Sequence, residues 1–111
     1  MKMFRPLAEA IENFKWQSVK SDYAIGDLIE DCRYEPSRIT GITRDNRTHT
    51  FTYATEGLVS GFKGTCGAGC GVRPVDDLEA SKDFYRRLSK ARNDEVAMEL
   101  VMEWEDSHKK N

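Results

Sequence analysis

The chain has 111 residues, room for one domain with a real core but not for two. Hydrophobic residues make up 39% and charged residues 32%, the balance of a folded chain, and no apolar run approaches the length of a membrane span. A net charge of −2 argues against a generic polyanion binder, though a local basic patch stays compatible with it.

Residues 1–25 read as an N-terminal helix and its lead-in. Pro6 suits a first helical position, and Leu7, Ala10, Ile11 and Phe14 recur at three- and four-residue spacing over residues 6–16. This pattern predicts a helix packing its apolar side on the core. The start, Met1-Lys-Met-Phe-Arg-Pro6, lacks the apolar stretch of a signal peptide, and three cysteines are too few for a disulfide scaffold. A reducing, cytoplasmic setting is therefore expected.

Residues 26–76 switch to a period of two. Asp27 to Tyr34 alternates as a strand, Glu35-Pro36-Ser37 signals a turn, and Arg38 to Arg44 is rich in β-branched residues, with Gly41 as a bulge. Asp45-Asn46-Arg47 reads as a hairpin turn, with Asn46 suited to positive φ. Thr48 to Thr55 places Phe51 and Tyr53 on one face and Thr50 and Thr52 on the other. A short strand is expected within Leu58–Lys63, and Val72 to Val75 reads as a last edge strand because Pro74 lacks an N–H.

Residues 77–111 read as two helices. Asp76 or Asp77 caps the first near Leu78, and Asn93 caps the second. Val96, Met98, Leu100, Val101, Met102 and Trp104 give the last helix more apolar surface than one core stripe needs. Glu99, Glu103, Glu105 and Asp106 flank that surface and suit a basic partner.

Six of the eight glycines crowd into residues 57–71. Glycine costs backbone entropy, so the cluster implies positive φ angles or the close approach of a backbone or ligand. Gly64, Gly67, Gly69 and Gly71 are the candidate ligand loop, able in principle to cradle an anion with backbone N–H groups. The same loop carries Cys66 and Cys70, which with Cys32 and His49 would make a four-ligand zinc set. Idle thiols are the alternative. No Walker or dinucleotide pattern is present, and no nucleophile elbow or metalloprotease pattern accompanies the two histidines. An enzyme is not expected.

Gly26-Asp-Leu-Ile-Glu-Asp-Cys-Arg-Tyr34, Ser37 to Tyr53, and Val72-Arg-Pro-Val-Asp76 together resemble the SH3-like small barrels of KOW and Tudor type. The resemblance covers about residues 25–77. It departs from KOW at Ser37-Arg38, where that motif has glycine before its second strand. For a Tudor-type cage it offers Tyr34, Phe51, Tyr53 and Phe62. It implies a fold and a general binding role, without site residues. The expected fold is α+β: a small, strongly bent antiparallel sheet or SH3-like barrel, with one N-terminal helix and a C-terminal helical hairpin.

The function expected is non-enzymatic docking on another protein. In style the chain is similar to phage or mobile-element accessory proteins that inhibit or adapt a host factor. Arg44, Arg47, Phe62 and Lys63, around the hairpin turn and loop, form one expected contact surface. Glu99, Glu103 and Trp104 on the last helix form another. The first alternative is a nucleic-acid module using Arg33, Arg38, Arg44, Arg47, Lys63 and Arg73. The second is a small-ligand or zinc domain centred on residues 57–71. No cofactor other than zinc is indicated, no membrane partner is expected, and the chain is a monomer or a homodimer.

Overall fold

The computed structural model describes residues 5–67 and 71–109. In chain order it contains α1 (Arg5–Gln17), β1 (Leu28–Glu30), β2 (Pro36–Asp45), β3 (Thr50–Gly57), β4 (Lys63–Gly67), β5 (Arg73–Pro74), α2 (Leu78–Ser89) and α3 (Asp94–His108). The fold is α+β. The five strands pair antiparallel in the order β4-β3-β2-β1-β5.

The alternation in β3 sets the core. Phe51, Tyr53 and Thr55 point inward, and Ile39 from β2, Ile29 from β1 and Cys66 from β4 join them. The register slips between Ile39 and Gly41, so the bulge expected at Gly41 is present. The sheet does not close. β4 and β5 are its two edges, so the barrel alternative gives way to an open antiparallel sheet.

Local hydrogen bonding moves several boundaries. The first strand stops at Glu30, short of Tyr34. There the Asp31 carboxylate accepts the Arg33 N–H at 2.9 Å, the Asp31 carbonyl accepts the Tyr34 N–H at 3.0 Å, and Tyr34 takes a φ of 65°. Pro36 and Ser37 open β2 instead of forming a turn, with Pro36 opposite Glu30. In the β2–β3 turn, positive φ falls on His49 (54°), not on Asn46. The fourth strand lies at Lys63–Gly67, one turn beyond the stretch expected.

The C-terminal helices start where their caps predict. The Asp77 side chain accepts the Ala80 N–H at 3.1 Å, and Asn93 accepts that of Val96 at 2.9 Å. Phe84 of α2 is buried and stacks on Trp104 of α3, with ring centroids 4.5 Å apart.

α1 departs most from expectation. Its apolar side does not meet the core: Leu7 is 53% exposed, Ile11 39% and Phe14 80%. Trp16, two and a half turns after Leu7 and so on the opposite side, is the residue that enters the core. Trp16 Nε1 donates to Asn46 Oδ1 at 2.9 Å, and its ring lies 4.8 Å from that of Phe51. The helix is thus held through Trp16, and its polar side borders a cleft against the β2–β3 turn. The molecule measures 63 × 28 × 26 Å.

Candidate functional site

Where β1 meets β5, the register sets Glu30 opposite Arg73. Glu30 is 3% exposed, and its Oε1 accepts from Arg73 Nη2 at 2.6 Å, Arg73 Nε at 3.1 Å and Trp104 Nε1 at 3.0 Å. Its Oε2 accepts from Ser81 Oγ at 3.1 Å. Arg73 also holds Glu105 at 2.9 and 3.2 Å. One buried carboxylate therefore ties α2 and α3 to the sheet. The hydrogen bond from Arg73 keeps the Glu105 carboxyl below its usual range, against the burial that would raise it. Burial, then the Glu105 charge, pushes the Tyr34 hydroxyl up. Sequence reading offered Arg73 to a nucleic-acid surface and gave Glu30 no role. Their cross-strand register was the signal, and it becomes readable only once β5 is placed.

A second buried carboxylate accounts for part of the glycine cluster. Glu35, wholly buried, accepts the N–H groups of Val59 (3.1 Å) and Ser60 (2.7 Å) and the Ser60 hydroxyl (2.9 Å). It thereby plugs the β3–β4 loop. A Cβ on Gly57 would lie 2.4 Å from that carboxylate, so glycine is required by close approach. Gly61 takes a φ of 75° in the same turn. At these two positions the fold itself accounts for glycine. Of the candidate ligand loop, Gly64 and Gly67 lie in β4 and Gly71 follows it. Gly69 and Cys70 fall outside the described residues.

Of the zinc set, Cys32, Cys66 and His49 lie among the described residues and Cys70 does not. Cys32 is exposed after β1, Cys66 is buried in β4, and His49 sits at the hairpin. There His49 Nε2 lies 3.0 Å from Asn13 Oδ1, and the ring stacks on Trp16. Among the described residues no three His, Cys, Asp or Glu side chains gather to hold a metal.

The hairpin surface is divided. Arg44 is committed internally: its Nη1 donates to the Trp16 carbonyl at 2.8 Å, its Nη2 to that of Val19, and its guanidinium lies about 5 Å from the Trp16 and Phe51 ring centres. Arg47 is exposed beside a cleft of about 430 Å³ between α1 and the turn. Lys63 is exposed, and Phe62 is 52% exposed under the Arg33 guanidinium, 4.4 Å from its ring centre.

On α3, Met98 (61%) and Met102 (60%) are exposed, and Glu99 and Glu103 are exposed beside them. Trp104 lies on the other side of the helix, against Phe84, Glu30 and His108. It holds α3 in place and leaves the methionines outward. Among the described residues no helix is long and apolar enough to cross a membrane. No family model, curated protein or solved structure matches the chain.

Proposed function

We propose that the protein is a non-enzymatic docking protein whose outer α3 face binds another protein. The observation that carries this reading is the pair of exposed methionines, one turn apart, flanked by Glu95, Glu99, Glu103 and Asp106. Methionine is a flexible, polarisable contact residue, and carboxylates beside it favour a partner with a basic rim around an apolar centre. Trp104 anchors the helix through its inner side, so the outer face is presented on a fixed element. Inhibition or adaptation of a host factor by a mobile-element protein is the setting this reading suits.

The nucleic-acid alternative is weakened because Arg44 is used within the fold. The test begins by capturing a partner on the immobilised full chain and identifying it by mass spectrometry. Affinity for the purified partner is then measured. Glu99→Lys combined with Glu103→Lys is expected to weaken binding at least about tenfold, from reversal of two charges facing a basic rim. Unchanged affinity in that double variant would overturn the assignment to α3.

A further inference from the structure

α1 turns its polar side to its own body. Glu9, Glu12 and Asn13 line the cleft against the hairpin, while Leu7, Ala10, Ile11 and Phe14 are exposed on the other side. An amphipathic helix in this attitude leaves its apolar stripe for something outside the fold.

We propose that a second copy of this chain covers the stripe, the two α1 helices lying antiparallel about a two-fold axis between Ala10 and Ile11. The apolar positions map onto themselves when the helix is reversed. Leu7 meets the other copy's Phe14 at each end, and Ala10 meets Ile11 in the middle. A two-fold contact needs this self-complementarity. Alanine at the centre permits close approach of the two axes. Glu9 and Glu12 face the body, so the pairing sets no like charges against each other. The helix is anchored through Asn13 and Trp16, on the side away from the stripe, so the bonds that hold it do not involve the stripe.

Covering these side chains on both copies removes on the order of 600 Å² from water, the size of a transient contact. The dimer is therefore weak and concentration-dependent. It uses a face separate from the α3 docking surface, so its failure would leave that reading intact.

The test is sedimentation velocity on the full chain from about 5 μM to about 1 mM, the range in which so small a contact associates. Wild type is expected to pass from monomer to dimer. Phe14→Glu is expected to shift the midpoint at least about tenfold upward. Glu9→Gln, on the body side, is expected to leave it unchanged. Phe14 is 80% exposed, so the substitution does not strain the fold, and far-UV circular dichroism checks that α1 persists. A monomer at every concentration, or a dimer indifferent to Phe14→Glu, would overturn the proposal.

Discussion

Glu30 and Glu35 are both buried, and they are satisfied differently. Glu30 has a cation, an indole and a hydroxyl, whereas Glu35 has two backbone N–H groups and a hydroxyl. Without Glu30, Arg73 keeps Glu105, but the Trp104 N–H and the Ser81 hydroxyl lose their acceptor, at about 1–3 kcal/mol for a buried group left unpaired. Glu30→Ala is expected to cost that much in urea unfolding and to quench the environment-dependent shift of Trp104 fluorescence. Gly57→Ala is expected to cost about 1–3 kcal/mol, because the new methyl meets the Glu35 carboxylate. The double variant with Glu35→Ala is the internal check: a cost equal to the sum of the two single changes would show that they do not meet.

Glu105 gives the pH dependence. Its folded value is lowered, so its contribution is fully present above the unfolded value of about 4.3 and is lost as pH falls through the lower folded value. Glu105→Gln is expected to flatten that part of the acid limb. Parallel stability curves for variant and wild type across pH 5 to pH 2, on the order of the carboxylate range, would show that Arg73 does not favour its charged form.

At the scale of elements, α1 depends on a latch rather than on its apolar stripe. Trp16 enters the core, Arg44 spans the Trp16 and Val19 carbonyls, and Asn13 and Asn46 add side-chain bonds. Trp16→Ala is expected to cost about 3–5 kcal/mol. It should also release α1, so that trypsin cuts after Lys15 and Lys20 faster while the β2–β3 hairpin stays protected. Equal cleavage rates in variant and wild type would place the latch elsewhere. Periodicity identified this helix and its ends but misjudged its attitude. The stripe of Leu7, Ile11 and Phe14 outweighs one tryptophan in any pattern count, yet the large ring found the gap beside Phe51. The caps at Asp77 and Asn93 were readable because a cap is made within a few residues. The Glu35 plug and the Glu30 junction were not, since each joins residues far apart in sequence. The glycine cluster was visible in the composition, and at Gly57 and Gly61 its cause is the fold itself.

At the scale of the molecule, an open sheet carries the α2–α3 pair beside β1 and β5 and α1 beside the β2–β3 turn. The α+β class and the antiparallel sheet followed from alternation and turn residues. Closure of the sheet was beyond reach, because it depends on how far β4 and β5 lie from each other. The radius of gyration is 18.1 Å, against roughly 13 Å for a compact chain of this length. The shape therefore has a hydrodynamic signature of its own. A single 12.7 kDa chain diffuses and elutes like a substantially heavier sphere, so calibration with globular standards would misassign a monomer as an oligomer. Mass from light scattering, which does not depend on shape, separates the two.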